Sequence, residues 1–203
     1  MRKFILLCLA LVALAFAGQI FFNPHPSKNS KLVEGPIVCF GDSLTYGIGA
    51  SAGQAYPAQL AAMLSRPVIN AGRSGDTTAS AAQRLQADVL SHIPRTVIIA
   101  LGANDLIRGV SQKVAYRNLE AMIQEIQSQG ALVIVGGVEV PLRDREYGEM
   151  YRRLCRETGA VCVPNILDGI WGNETLMSDP VHPNDAGYRR MAEIFYQALK
   201  PYL

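Results

Sequence analysis

The sequence predicts an α/β fold in which helices cover both faces of a five-stranded parallel sheet. Five short apolar runs are continuous rather than alternating, as expected of strands that are buried on both faces. They cover residues 37–40, 68–70, 96–101, 132–135 and 161–163. Segments with the apolar spacing of helices lie between these runs. Strands and helices therefore alternate from residue 36 to the C terminus.

The helical segments are recognised by apolar residues that recur every three or four positions. The strongest pattern is bounded by Ser111, which can cap a helix start, and by Gly130, a stop signal. Its apolar face is formed by Leu119, Met122, Ile123 and Ile126. A second helix is predicted to be capped by Thr78, and the last helix is predicted to begin near Asn184. Weaker patterns predict two more helices, over residues 54–65 and 146–157.

The topology of the sheet follows from this alternation. A strand, a helix and the next parallel strand form a right-handed unit, so successive helices can cover both faces. For a domain of this size the natural arrangement is a three-layer α/β/α, flavodoxin-like fold with strand order 2-1-3-4-5. Ligands of such folds bind at the carboxyl ends of the strands, near the point where the strand order reverses. Functional residues are therefore expected in the segments that directly follow strands.

The N terminus carries a separate signal. Arg2 and Lys3 precede an apolar run over residues 4–22 that is broken only by one glycine and one glutamine. The run predicts either a signal peptide cleaved after Ala17 or a retained membrane anchor, and its continuation through Phe22 favours the anchor. Both alternatives keep the basic residues in the cytoplasm and send the rest of the chain across the membrane. We expect a protein outside the cytoplasm, either periplasmic or secreted, or tethered to the inner membrane.

The remaining sequence describes one globular domain. Residues 1–22 are followed by a polar linker over residues 23–35, and the domain occupies residues 36–203. The chain has 203 residues, of which 49% are hydrophobic, and a formal net charge of +2. This small charge, without a basic run interleaved with aromatic residues, argues against nucleic-acid binding. We expect a monomer that acts on a small molecule.

The four cysteines have different surroundings. Cys8 lies in the apolar run, without the small residues of a lipoprotein signal, and Cys39 falls in the first predicted strand, where it fits the core. Cys155 and Cys162 are seven positions apart, across a predicted turn from helix to strand. Outside the cytoplasm they could form a disulfide, although the spacing does not establish the geometry. A metal site is less favoured, because no histidine or second cysteine pair lies at ligand spacing.

The first candidate functional residue is Ser43, in the motif GDSLT that directly follows the first predicted strand. A serine in this position lies where ligands bind in parallel sheets. Gly41, at the start of the motif, permits a tight backbone. Taken alone, the motif fits an ordinary serine in a turn equally well.

Two further motifs follow the neighbouring strands. Gly72, in NAG, can bring its backbone N–H close to a substrate oxygen, and Asn104, in GAND, offers a side-chain NH₂ donor. The structural alternatives are a turn glycine and, at Asn104 or Asp105, a helix cap. In the predicted strand order both strands flank the one that precedes Ser43, at about 4.8 Å on either side. Both donors could therefore converge on a carbonyl oxygen that Ser43 attacks.

The base that a serine nucleophile requires is predicted at His182. Asp179 precedes it by three residues in the motif DPVHPN and can orient the imidazole and stabilise its charged form. The structural alternative is a surface loop with an incidental histidine. Of the other two histidines, His25 lies in the linker and His92 is predicted to end a helix. His182 is therefore the best-placed base.

These motifs together resemble the sequence blocks of the SGNH/GDSL hydrolases. GDSLT, NAGRSGDTT, GAND and DPVHPN occur in the order and spacing of that family, from about residue 37 to the C terminus. The longer segments GDSLTYGIGA, LGANDLIRG and VEVP, with Tyr56-Pro57, are similar to the bacterial multifunctional arylesterase, lysophospholipase and thioesterase group. That resemblance also places a substrate-facing loop after Pro141, in the segment LRDREYGEM.

The resemblance implies a serine esterase that hydrolyses aryl esters, acyl thioesters or lysophospholipids through an acyl-serine intermediate, without a metal or cofactor. Its catalytic residues would be Ser43, Asp179 and His182. Its oxyanion hole would be formed by Ser43, Gly72 and Asn104. Two alternatives use the same fold: an acyltransferase or deacetylase acting on cell-envelope glycans, and a non-catalytic binding domain.

Overall fold

A five-stranded parallel sheet forms the centre of the domain. The computed structural model describes residues 34–139 and 145–203, so the predicted N-terminal segment and the linker up to residue 33 lie outside the described residues. The strands are β1 (Ile37–Gly41), β2 (Val68–Gly72), β3 (Thr96–Ala100), β4 (Leu132–Gly136) and β5 (Val161–Val163). They pair in parallel in the order β2-β1-β3-β4-β5. The predicted fold class and strand order are confirmed, and each predicted strand boundary lies within two residues of the observed one.

Helices connect the strands in the predicted alternation. In the described part of the chain they are α1 (Ser43–Tyr46), α2 (Tyr56–Leu64), α3 (Thr78–Asp88), α4 (Ala103–Ile107), α5 (Gln112–Ser128), α6 (Arg145–Thr158) and α7 (Asp185–Leu199). Short 3₁₀ turns lie at Leu90–His92 and Lys200–Tyr202. The five predicted helices correspond to α2, α3, α5, α6 and α7. The sequence did not predict α1 and α4, because helices of four and five residues are too short to show an apolar period.

Different helices cover the two faces of the sheet. Val38 and Phe40 of β1 belong to a core shared with α3, α5 and α6. Ile37 and Cys39 point the other way, into a core shared with α2 and α7. Burial of each large apolar side chain contributes about 1.5–3 kcal/mol, so both cores fix the strands firmly. The carboxyl ends of the strands are therefore a rigid platform for the segments that follow them.

The cap of α3 differs from the sequence prediction. Thr77 is the N-cap: its side chain accepts a hydrogen bond from the Ser80 N–H, and the Ser80 hydroxyl accepts one from the Thr77 N–H. The prediction of Thr78 as the cap is wrong because the Thr78 hydroxyl donates instead to the buried carboxylate of Asp105, at 2.6 Å. At α7 the predicted cap is confirmed, since the Asn184 side chain accepts bonds from two N–H groups of the first turn.

The structure also bears on the cysteines and on membrane-spanning segments. Cys155 and Cys162 are free thiols that hydrogen-bond to each other, and Cys39 is fully buried in β1, as predicted. Within residues 34–139 and 145–203, no helix combines the length and the apolar character needed to cross a membrane. The predicted N-terminal anchor or signal peptide falls outside that range.

Candidate active site

Ser43 lies at the carboxyl edge of the sheet, as the first residue of α1 and two residues after the last residue of β1. Asp42, between them, is the N-cap of α1. The close packing of this turn requires glycine at position 41, because a Cβ there would lie 2.1 Å from Thr45 Oγ1 and 2.5 Å from the Ala100 carbonyl oxygen. Ser43 is half-buried at the edge where ligands bind in this class of fold.

The structure brings His182 and Asp179 to Ser43 as predicted. His182 Nε2 lies 3.1 Å from Ser43 Oγ, and His182 Nδ1 lies 2.7 Å from Asp179 Oδ2. A carboxylate beside Nδ1 favours the tautomer in which Nδ1–H donates to Asp179. The Nε2 lone pair then accepts the Ser43 hydroxyl proton. This is the arrangement of a serine nucleophile with its general base and the carboxylate that orients the base.

Asp179 is held by its own turn. Its Oδ1 accepts hydrogen bonds from the backbone N–H groups of Val181 and His182, both at 2.8 Å. These bonds, with the bond from the His182 ring, hold the pKa of Asp179 below its usual value. The carboxylate therefore stays charged at neutral pH, as it must to stabilise an imidazolium. Bonds from the N–H and hydroxyl of Ser178 to the His182 carbonyl close the same turn.

Asn104 lies in the first turn of α4, and its side chain reaches the residue next to the nucleophile. Its Nδ2 donates to the Asp76 carbonyl at 3.0 Å and to Asp42 Oδ2 at 3.3 Å. The amide therefore lies beside Ser43 and does not cap the helix. The neighbouring Asp105 is a structural residue, because its carboxylate accepts both the N–H and the hydroxyl of Thr78.

Gly72 is the last residue of β2 and pairs with Gly41, but its N–H is already engaged. It donates to the side-chain oxygen of Asn70 at 2.9 Å. Gly75, in the loop that follows, adopts a left-handed φ of 82°, and its N–H has no hydrogen-bond partner among the described residues. It directly precedes Asp76, whose carbonyl accepts Asn104. The role of Gly72 stays a prediction, and Gly75 is a second candidate donor that the sequence reasoning missed.

Comparison with known proteins agrees with this geometry. Residues 39–190 match the model of the GDSL-like lipase/acylhydrolase family. The chain belongs to this family. It is 33% identical over 181 residues to "Esterase TesA" of Pseudomonas aeruginosa, which covers 82% of this chain and 89% of that protein. It is 29% identical over 173 residues to "Thioesterase 1/protease 1/lysophospholipase L1" of Escherichia coli K12, which covers 81% and 83% of the two chains. The crystal structure of TesA superposes with a TM-score of 0.78 at 30% identity, over 83% of this chain and 99% of that one.

The family confirms the predicted resemblance and the predicted activity class. This GDSL-family protein is a serine hydrolase that acts on ester bonds. The roles of its individual residues rest on the distances given above. Of the predicted substrate-facing loop, residues 140–144 lie outside the described residues, and α6 begins at residue 145.

Asp42 was not predicted as a functional residue of this hydrolase. It is buried next to Ser43 and contacts the side chain of Asn104. Only 2% of its surface is exposed, and its two carboxylate oxygens accept bonds from the Leu44 N–H and from Asn104 Nδ2. Burial raises the pKa of Asp42 to about 6, against a smaller opposing effect of the Leu44 hydrogen bond. The sequence signal that could have identified it is its place as cap between β1 and Ser43.

Replacing Asp42 with asparagine is expected to change how stability depends on pH. Because the pKa of Asp42 is about 6 in the folded protein against an ordinary 3.8, the folded state binds this proton more tightly than the unfolded chain. This contribution to stability is complete below pH 3.8 and is lost as the pH rises through 6. From about pH 4 to about pH 8, the unfolding free energy of the wild type should fall by up to about 3 kcal/mol relative to Asp42→Asn.

Urea unfolding of both proteins at the two pH values measures this difference. Asp168→Asn, at an exposed position, controls for the loss of one carboxylate. If the wild-type and Asp42→Asn proteins show parallel pH profiles, the carboxyl group of Asp42 does not titrate in this range.

Proposed function

We propose that this serine esterase cleaves carboxylic esters and thioesters through an acyl-enzyme on Ser43. His182 Nε2 takes the Ser43 proton as Oγ attacks the substrate carbonyl carbon, and Asp179 stabilises the imidazolium. His182 then protonates the leaving alkoxide or thiolate, which departs as an alcohol or thiol. A water molecule, deprotonated by His182, attacks the acyl-enzyme, and the carboxylic acid leaves as Ser43 regains its proton.

The main support for this proposal is the continuous chain of hydrogen bonds from Asp179 through His182 to Ser43. The 2.7 Å contact joins His182 to Asp179, three positions earlier, and the 3.1 Å contact joins His182 to Ser43, 139 positions away in the sequence. A histidine in an ordinary surface loop needs neither an orienting carboxylate nor a serine hydroxyl at its second nitrogen. The arrangement instead meets the geometric condition for a general base, a hydrogen bond to the hydroxyl that it deprotonates.

Asn104→Ala should lower kcat by about a hundredfold or more, because one donor to the developing oxyanion is removed. The fold should persist, because the Asn104 side chain is only half-buried and Asp42 keeps its hydrogen bond from the Leu44 N–H. Steady-state hydrolysis of an aryl ester, with thermal unfolding as the control for folding, measures both effects. A kcat within about threefold of the wild type would remove Asn104 from the oxyanion hole.

A crystal structure of the phosphonylated enzyme separates the two glycine candidates. The phosphonyl oxygen stands in for the oxyanion, so a donor must lie about 2.7–3.1 Å from it. We expect the Ser43 N–H, the Asn104 amide and one glycine N–H within that range. Contact with the Gly72 N–H requires its bond to Asn70 to break, whereas the Gly75 N–H is free to donate among the described residues.

The proposed substrate carries an apolar acyl or aryl group. Three large apolar side chains, each within three positions of a proposed triad or oxyanion residue, are strongly exposed: Tyr46 by 57%, Ile107 by 72% and Val181 by 42%. Apolar groups around a few polar groups are typical of sites that bind apolar ligands. The names of the two relatives, an esterase and a thioesterase/lysophospholipase, point to the same substrates.

A panel of substrates tests this assignment. The panel contains p-nitrophenyl esters of increasing chain length, an acyl-coenzyme A and a lysophospholipid, with Ser43→Ala as the blank. We expect kcat/KM to rise from the acetate ester to the medium-chain esters. In Ile107→Ser this rise should be smaller, whereas kcat/KM for the acetate ester should be unchanged. A preference for acetate that Ile107→Ser leaves unchanged contradicts an apolar acyl site. Product analysis with an added glycan acceptor distinguishes hydrolysis from acyl transfer.

We also propose that the domain works outside the cytoplasm, exported by its N-terminal segment. Gly35 precedes β1 at the amino edge of the sheet, and Ser43 follows β1 at the opposite edge. The five residues of β1 alone separate these edges by about 17 Å. The N-terminal segment therefore joins the domain at the edge of the sheet opposite to the active site.

Cell fractionation followed by intact-mass analysis tests the export. A full-length mass in the membrane fraction indicates a retained anchor, and a mass that begins after Ala17 indicates a cleaved signal peptide. Recovery of the full-length protein in the soluble cytoplasm contradicts the proposal.

A further inference from the structure

Arg84 of α3 is a buried arginine with an unusually complete set of acceptors. Only 6% of its surface is exposed. Its Nε donates to Asp76 Oδ2 at 2.6 Å, and its Nη1 donates to Asp88 Oδ2 and to the Ala71 carbonyl, both at 2.9 Å. Its Nη2 donates to the Gly41 carbonyl at 3.0 Å. The guanidinium therefore bonds to the ends of two strands and to one loop at the same time.

The strand ends are the fixed part of this network. Gly41 and Ala71 lie in β1 and in the edge strand β2, which pair in parallel with each other. The guanidinium carbon also lies 4.5 Å above the centre of the Phe40 ring, which keeps the planar group in one orientation. Arg84 is thus anchored to the sheet, and Asp76 in the loop after β2 is anchored to Arg84.

Asp76 connects this anchor to the proposed oxyanion hole. Its side chain is held on both oxygens, by Arg84 and by the Ser80 hydroxyl at 2.9 Å. Its backbone carbonyl accepts the Asn104 amide at 3.0 Å. The position of that carbonyl, and therefore of the amide, depends on the side-chain contacts of the same residue.

The Asn104 amide has two hydrogens, and both are engaged in the structure. The bond to Asp42 Oδ2 is the longer one, at 3.3 Å, against 3.0 Å for the bond to the Asp76 carbonyl. An oxyanion can take over only one hydrogen if the other bond is to keep the amide in place. The shorter bond to Asp76 fits the holding role, and the longer bond to Asp42 is the one for the oxyanion to replace.

We propose that Arg84 is a positioning residue for catalysis: its guanidinium fixes Asp76, and the Asp76 carbonyl holds the Asn104 amide toward the oxyanion. This inference rests on the proposed function of Asn104. A buried ion pair adds little net stability compared with apolar residues of similar volume. A displacement of about 1 Å at a catalytic group, by contrast, can reduce the rate by about a hundredfold.

A double-mutant cycle between Arg84→Lys and Asn104→Ala tests the inference. Lysine keeps the charge but lacks the planar fork that bonds Asp76 and the strand ends together. In the wild-type background, Arg84→Lys should lower kcat by about tenfold or more and change KM by less than about twofold. In the Asn104→Ala background, the same change should lower kcat by less than about twofold, because the group that Arg84 positions is absent.

Leu85→Ala provides the matched control for a purely structural effect. Leu85 is the next residue of α3, is 2% exposed and packs in the core, so its truncation lowers stability without touching the network. It should lower the melting temperature and leave kcat close to that of the wild type. If Arg84→Lys does not fold, Asp76→Asn takes its place, because it weakens the same ion pair while Asp88 still pairs with Arg84.

The outcomes separate this inference from the proposed function. Equal losses of kcat in both backgrounds, or an equal loss in Leu85→Ala, would overturn the positioning role of Arg84. An unchanged kcat in Arg84→Lys, or in Asp76→Asn if that variant is used, would overturn it as well. A wild-type kcat in Asn104→Ala alone would instead remove Asn104 from the oxyanion hole, and with it the basis of the inference.

Discussion

Ser43→Ala should lower kcat/KM for every ester substrate by roughly 10⁴- to 10⁶-fold, because no acyl-enzyme can form without its hydroxyl. The protein should fold as before: the side-chain hydrogen bond that the structure shows for Ser43 is the one to His182, at a half-buried position. Any remaining activity reflects binding and the oxyanion donors acting on water. Initial rates on an aryl ester, with circular dichroism as the control for folding, measure the change.

Covalent labelling tests directly whether Ser43 is the nucleophile. A fluorophosphonate should add one label to the wild-type protein and none to Ser43→Ala, and the labelled peptide should contain residue 43. Ser128→Ala is the matched control, because Ser128 is an exposed serine at the end of α5 whose hydroxyl bonds only to its own helix. Near-wild-type turnover by Ser43→Ala, or a label on another serine, would overturn the assignment of the nucleophile.

The three central strands β1, β3 and β4 were predictable from the sequence because both of their faces are covered. All five residues of β1 are buried, so the strand shows a continuous apolar run that no half-exposed strand would show. The cap of α3, by contrast, could not be predicted from the local sequence. Thr77 and Thr78 are adjacent and chemically alike, and the choice depends on Asp105, 27 positions further along the chain, which takes the Thr78 hydroxyl.

The same distinction applies to the candidate site. Some of its contacts join residues that are close in the sequence, and others join residues that are far apart. Asp179 and His182 belong to one short turn, so their spacing in the sequence already indicates their contact. Arg84 gave no such signal, because an arginine in a helix is usually exposed and its burial here depends on acceptors from separate strands and loops. The choice between Gly72 and Gly75 depends on which N–H another oxygen has already engaged, and a sequence does not carry that information.

His182→Ala is expected to lower kcat about as far as Ser43→Ala, and the double variant should lose little more, because the two residues act as a unit. Without the imidazole, no base lies within hydrogen-bond distance of Ser43 Oγ in the described part of the chain. Stability should change little, because Asp179 keeps its bonds from the two backbone N–H groups of its turn. The kinetic loss therefore reports proton transfer rather than folding.

Added imidazole should restore part of the activity of His182→Ala. The His182 side chain is 19% exposed and that of Asp179 is 42% exposed, so a small base can enter the space that the deletion leaves and bond to the carboxylate. The recovered rate should rise with the concentration of neutral imidazole and reach a plateau. Neither Ser43→Ala nor the double variant should respond, because a restored base has no hydroxyl to deprotonate. If imidazole rescues Ser43→Ala equally, the buffer itself hydrolyses the ester. If His182→Ala keeps its turnover without imidazole, another group supplies the base, and the chain from Asp179 to Ser43 is structural rather than catalytic.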